Sequence, residues 1–185
     1  GLTEFIPVSS SGHLVIANAF FDAKDSFAFD VLLNFGTLAA LTVYYRKRIL
    51  GIISLIVVKR RFELAAKLIA ATIPAVAVGF LLEDFFTDLN DNLLVVIAML
   101  AIIGLVFVLF GKEQAGAKND PLESIPLKKF VIIGIAQAFA LVPGTSRSGI
   151  TILAGLRQRM TAERAAELSF MLAIPTIFGA SLKTL

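Results

Sequence analysis

Two short polar stretches interrupt an otherwise apolar chain of 185 residues. The first holds Glu4, Ser9, Ser10, Ser11 and His13; the second holds Thr145, Ser146, Arg147 and Ser148. Each opens on a proline, Pro7 or Pro143, passes through small hydroxylated residues and glycine, and runs into a short apolar segment, residues 14–21 or 150–156. A helix that starts at such a turn has free N–H groups and the positive end of its dipole, which together favour an anion. Arg147 adds a planar fork of donors that matches two phosphate oxygens at once. Two helix starts, an arginine and the hydroxyls of Ser9, Ser11, Thr145, Ser146 and Ser148 therefore compose a site for a phosphorylated group. Ser10 and His13 are three apart, on one face if a helix begins at the serines. A serine within reach of an imidazole is the smallest activated nucleophile. Glu4, across the Pro7 turn, can orient the histidine, act as a base, or hold a divalent cation, Mg²⁺ or Ca²⁺, together with phosphate oxygens.

Composition says what must carry these residues. The chain is 57% hydrophobic and 17% charged, whereas a soluble domain carries about 25% charge. A disordered chain and an ordinary soluble enzyme are excluded. The net charge of +3 does not point to nucleic acid, because the basic residues sit beside apolar runs and no aromatic-interleaved basic face occurs. Cysteine is absent and His13 is the single histidine, which removes disulfides, thiolate sites and any chemistry that needs two histidines from this chain. The expected class is an all-α integral membrane protein. The chain starts on Gly1 without a visible signal peptide and reads as one membrane domain over residues 1–185, truncated at both ends.

A helix needs about 20 residues to cross roughly 30 Å of hydrocarbon. Residues 92–110, 63–82, 29–45 and 165–182 meet that length, with Lys67 near one end of its span where it is expected to snorkel. Residues 49–58 are too few and are flanked by Arg46, Lys47 and Arg48 and by Lys59, Arg60 and Arg61, so they read as an interfacial or buried half-helix. Lysine and arginine mark the cytoplasmic side, so residues 46–61 lie inside and the acidic loop of Glu83, Asp84, Asp88 and Asp91 lies outside. Residues 22–30 then lie outside as well. The segment 130–156 has basic flanks at both ends, Lys128 and Lys129 before it and Arg157, Arg159 and Arg164 after. A re-entrant hairpin of two half-helices turning at residues 143–149 keeps both flanks inside. The N-terminal turn has the same grammar and enters from the opposite face. Two such hairpins form an inverted repeat, residues 1–110 and the start of a second at 130–185, whose turns meet near the midplane.

The runs Gly1-Leu2-Thr3-Glu4-Phe5-Ile6-Pro7-Val8-Ser9-Ser10-Ser11-Gly12-His13 and Pro143-Gly144-Thr145-Ser146-Arg147-Ser148-Gly149 resemble, in residue type, spacing and order, the two signature motifs of the bacterial undecaprenyl-diphosphate phosphatase (bacitracin-resistance) family. The resemblance runs the length of the chain, through Pro74, the acidic outer loop and the Glu167 to Pro175 stretch. It implies a helical bundle with two re-entrant hairpins in inverted repeat, in the bacterial inner membrane. It also implies hydrolysis of undecaprenyl diphosphate to the monophosphate with a divalent cation, at a site opening to the outer face. On that pattern Glu4, Ser10, His13 and Arg147 are the catalytic residues. The family motif carries a second glutamate four residues before the one matching Glu4, and further helices after the point matching Leu185. The chain as given is therefore expected to bind metal weakly and to hydrolyse little.

Plainer readings stand beside these. Ser9 and Ser11 can be helix caps and nothing more, and Glu4 can be an interfacial charge. Gln137 and Glu167 either line the cavity or do not. Arg147 is the hardest to explain away, because an arginine inside a membrane is costly without an anionic partner. A polyprenyl-phosphate transporter or flippase is the competing function, since inverted hairpins meeting at the midplane suit a carrier and the same cluster binds a headgroup without cleaving it. A carrier needs the arginine and the helix ends but no nucleophile with a base. A phosphatase of the acid-phosphatase type needs a second histidine that this chain lacks. The expected partners are a polyprenyl diphosphate lipid, the bilayer and, possible but open, a second copy in a homodimer.

Overall fold

The computed structural model describes residues 2–4, 6, 7, 9–21, 27–90 and 92–184. Among them are nine α-helices: α1 (Ser10–Phe21), α2 (Phe27–Tyr44), α3 (Arg46–Val57), α4 (Glu63–Leu81), α5 (Glu83–Asn90), α6 (Leu93–Phe110), α7 (Leu127–Phe139), α8 (Arg147–Arg157) and α9 (Ala162–Thr184). Short 3₁₀ turns occupy Leu2–Glu4 and Leu122–Ser124, and no strand occurs among the described residues beyond one isolated bridge between Lys118 and Met160. The described residues are all-helical, as expected from the sequence.

Two described helices, α4 and α6, are long and apolar enough to cross a membrane, with lengths of about 28 and 27 Å at 1.5 Å per residue. Asn92 starts α6 by accepting from the N–H groups of Leu94 and Val95 at 3.1 and 3.3 Å. Most of the α6 surface is left outward, and Val96 is its buried residue. The helices α2 and α9 cover the other two expected spans. The head of α9 carries Glu163, Arg164 and Glu167, and its Leu168, Met171, Leu172 and Ala173 pack into the core. With twelve residues, about 18 Å long, α3 is too short to cross, and it leaves Leu50, Ile53 and Val57 exposed. The acidic stretch after α4, expected as a loop, is helical in α5. Residues 22–26 and 91 of the expected outer segments lie outside the described residues.

The segment 127–157 folds back on itself. Pro143 and Gly144 separate α7 from α8, and Gly144 adopts φ +84, a conformation open mainly to glycine. A methyl at residue 144 would sit 2.4 Å from the Val96 carbonyl oxygen, so the turn lies directly against α6. The open end of the hairpin is closed reciprocally: Lys129 Nζ donates to the Gln158 carbonyl at 2.7 Å, and Gln158 Nε2 donates to the Lys129 carbonyl at 3.1 Å. One arm, α7, lies on α4 so closely that a methyl at Gly134 would be 2.2 Å from the Ala71 carbonyl. Small residues permit this approach where apolar burial cannot drive it.

The basic segments converge at one end of the molecule. Arg48 Nη1 pairs with Glu123 at 2.9 Å, and its Nε lies 3.1 Å from Glu167, near enough for attraction but off-line for a hydrogen bond. Arg164 pairs with Glu167, and Arg157 stacks over the Phe110 ring, 5.5 Å from its centre. Lys67 does not snorkel outward as its position in the span suggests. It is buried, donating to the Glu123 carbonyl at 2.8 Å and pairing with Glu63 at 2.5 Å. Partners within the protein hold its charge better than a reach through lipid.

Candidate active site

The start of α1 is set by an unusual bend. Ser9 has φ +59, a left-handed conformation uncommon for a residue with a side chain. Its Oγ accepts from the Gly12 N–H at 3.4 Å. Its carbonyl accepts from the His13 N–H at 3.2 Å and lies 2.7 Å from His13 Nδ1. A carbonyl can only accept, so Nδ1 carries a proton and donates to it. The imidazole is exposed and braces the bend from outside.

Ser10 therefore faces a different partner from the one its spacing suggests. Its hydroxyl donates to Glu4 Oε1, and Glu4 Oε2 lies 3.4 Å from Arg147 Nη2. The carboxylate thus joins the two polar turns across 143 residues. A second tie runs from Ser148 Oγ, which donates to the Ile6 carbonyl at 3.4 Å. Ser146 caps α8 by accepting from the Gly149 N–H at 3.1 Å, the role its position predicts.

These groups enclose a cavity of about 140 Å³ lined by Thr3, Glu4, Ser9, Ser10, Ala140, Thr145, Ser146, Arg147 and Ser148. The N-termini of α1 and α8 both open into it. The Thr145 hydroxyl lines it too, buried and without a hydrogen-bond partner. A buried unpaired hydroxyl is costly, and a ligand oxygen in the cavity would satisfy it. Arrangement and charge agree: two helix starts, a guanidinium and the unpaired Thr145 hydroxyl surround a small space, with a carboxylate that accepts from a serine. Such a site can grip a phosphoryl group and deprotonate a nucleophile beside it.

Of the residues singled out in the sequence, Glu4, Ser9, Ser10, Thr145, Ser146, Arg147 and Ser148 line this cavity, and His13 does not. Ser11 is on α1, and its side chain lies outside the described residues. Glu167 is spent at the basic end. Gln137 is buried between α7 and α9, where it donates to Thr176 at 3.2 Å. Thr3, Ala140 and the Ile6 carbonyl escaped the sequence reading. Thr3 sits beside Glu4 and was open to notice, but a backbone carbonyl leaves no mark in residue type. The cation expected at Glu4 meets a poor donor set. Mg²⁺ and Ca²⁺ take six or more oxygens, no group of three potential ligands occurs among the described residues, and the Glu4 carboxylate is already engaged by Ser10 and Arg147. The residues described here do not by themselves fit a divalent ion.

The family model for bacitracin resistance protein BacA matches residues 1–185. Among curated relatives, the undecaprenyl-diphosphatase of Rubrobacter xylanophilus is 42% identical over 192 residues, covering 97% of this chain and 70% of the relative. That of Alteromonas mediterranea is 39% identical over 191 residues, covering 98% and 71%. An archaeal relative of the same name, from Methanococcus maripaludis, is 37% identical over 184 residues, covering 98% and 73%.

Proposed function

This chain belongs to the BacA bacitracin resistance family, and on that premise we propose that it is a membrane phosphatase that converts undecaprenyl diphosphate to undecaprenyl phosphate. The observation that carries the reading is the Ser10 hydroxyl donating to Glu4 inside a cavity where Arg147 and two helix starts await an anion. The reaction breaks the bond between the terminal phosphorus and the bridging oxygen. Ser10 Oγ attacks that phosphorus while Glu4 takes its proton. The electron pair of the broken bond stays on the bridging oxygen, and Glu4 passes the proton to the departing lipid phosphate. Water then gives a proton to Glu4 and attacks the phosphoserine, and Ser10 recovers a proton from Glu4 as inorganic phosphate leaves. Arg147 exchanges Glu4 for the terminal phosphoryl group, whose charge and paired oxygens suit the guanidinium better than a contact at 3.4 Å. The N–H groups at the starts of α1 and α8, with Thr145 and Ser148, meet the remaining oxygens. His13 braces the bend that aims Ser10.

The placement in the membrane is part of the same proposal. The hairpin α7–α8 is re-entrant from the cytoplasmic face, the N-terminal turn enters oppositely, and the site opens outward in the bacterial inner membrane. Support comes from depth along α6. Its Phe110 end meets Arg157, whereas Gly144 abuts Val96 and Gly12 abuts Leu100. Those contacts lie about 21 and 15 Å from Phe110, at or beyond the middle of a 30 Å core. A carrier would use the same anion site but has no need of a serine on a carboxylate. Phosphate release from undecaprenyl diphosphate by the protein at its full natural length tests the reading. Binding of the lipid without release would favour the carrier.

A further inference from the structure

The first turn of α8, which carries Arg147 and Ser148, is anchored from behind by α9. Thr151 Oγ1 lies 2.7 Å from the Arg147 carbonyl oxygen and 2.7 Å from Ser169 Oγ. Both hydroxyls are buried, at 1% and 4% exposure. A hydroxyl has one proton to give. The Arg147 carbonyl and the more distant Ser148 carbonyl, at 3.3 Å, can only accept, so the Thr151 proton goes to them, chiefly to the nearer Arg147, and Ser169 must donate to Thr151. The result is a directed chain from the Ser169 hydroxyl through the Thr151 hydroxyl to the Arg147 backbone, each bond polarising the next.

Beside them the contact has aliphatic packing from Leu156, Leu168 and the close pair Gly155 and Ala165. Apolar packing has little direction and leaves α8 able to slide or turn, whereas buried hydrogen bonds fix register. Successive helix positions differ by about 100°, so a one-residue slip would swing Arg147 out of the cavity. The other arm of the hairpin has a matching tie. Thr176 spends its proton on the Leu172 carbonyl at 2.8 Å and so accepts from Gln137 of α7 at 3.2 Å. In this way α9 holds both arms by directed bonds.

We infer that Ser169 is a positioning residue for phosphoryl transfer, acting through Thr151 to fix the depth and rotation of the α8 start and so the aim of Arg147. The inference rests on the phosphatase reading above. The experiment uses the full-length protein in detergent, with phosphate release from undecaprenyl diphosphate and, separately, affinity for inorganic diphosphate. Ser169→Ala and Thr151→Val should each lower kcat per folded molecule by about tenfold, as small misplacements do, with KM less affected. Thr151→Ser, which keeps the hydroxyl, should retain near wild-type kcat. In an Arg147→Ala background Ser169→Ala should cost nothing further. Unchanged kcat with only a lower melting temperature, or the same tenfold loss without Arg147, would overturn the inference. The diphosphate affinity separates the two readings. A wild-type protein that binds diphosphate through Arg147 but releases no phosphate contradicts the phosphatase reading, and Ser169 is then judged by whether S169A weakens that binding only while Arg147 is present.

Discussion

Arg147 shows how far residue type alone can be read. An arginine inside an apolar chain demands an anion, and the structure supplies one, the Glu4 carboxylate at 3.4 Å, in a cavity with room for another. Arg147→Lys in the full-length protein should keep the charge and lose most of the activity, on the order of a hundredfold in kcat. A point charge cannot grip two oxygens in one plane. Near-normal turnover with lysine, measured by phosphate release, would make Arg147 a structural counter-ion. Ser10 was legible as a nucleophile from its turn, but its partner was not. Spacing on a helix brings His13 to the same face, yet the left-handed bend at Ser9 redirects both. The histidine is drawn to the Ser9 carbonyl and the serine to Glu4. A positive φ at a serine cannot be foreseen from sequence periodicity, and that one dihedral decides the pairing.

At the scale of elements, α4 and α6 were legible because length and apolarity mark them, and the turn between α7 and α8 was legible from Pro143 and Gly144. Lys129 and Gln158 do close that hairpin at its basic end. The inward turn of Lys67 was hidden, because its acceptor is the backbone carbonyl of Glu123, 56 residues away. The contact network at that end has its own test. Burial tends to raise the Glu123 pKa, but hydrogen bonding and attraction from Arg48, with its own backbone and Arg164, outweigh it and hold the carboxyl below its usual value. A lowered carboxylate pKa contributes stability above the ordinary value, about 4.3, and loses it as pH falls through the folded value. Arg48→Gln should therefore melt below the wild type at pH 7, and the gap should shrink as pH is lowered through the carboxylate range. A gap that persists unchanged at pH 3, by thermal unfolding in detergent, would mean that Arg48 acts by packing.

For the whole molecule, the proposal places the basic ends inside, the acidic stretch outside and the two polar turns between them, on the charge asymmetry and the contacts along α6. A cysteine in place of Asp84 should be labelled from outside, and cysteines in place of Arg60 and Arg157 only from the cytoplasm; outside labelling at Arg157 would sink the re-entrant hairpin. The central claim is narrower, that Ser10 and Glu4 work as one catalytic unit on a phosphoryl group gripped by Arg147. Residues that share a step lose activity non-additively. The most direct measurement is phosphate release from undecaprenyl diphosphate by the full-length protein, its Ser10→Ala and Glu4→Gln variants and the double variant, each per folded molecule. The account predicts that each single change abolishes most turnover and that the double costs little more than the worse of the two. Fully multiplicative losses, or a Ser10→Ala variant that still turns over at the wild-type rate, would contradict it.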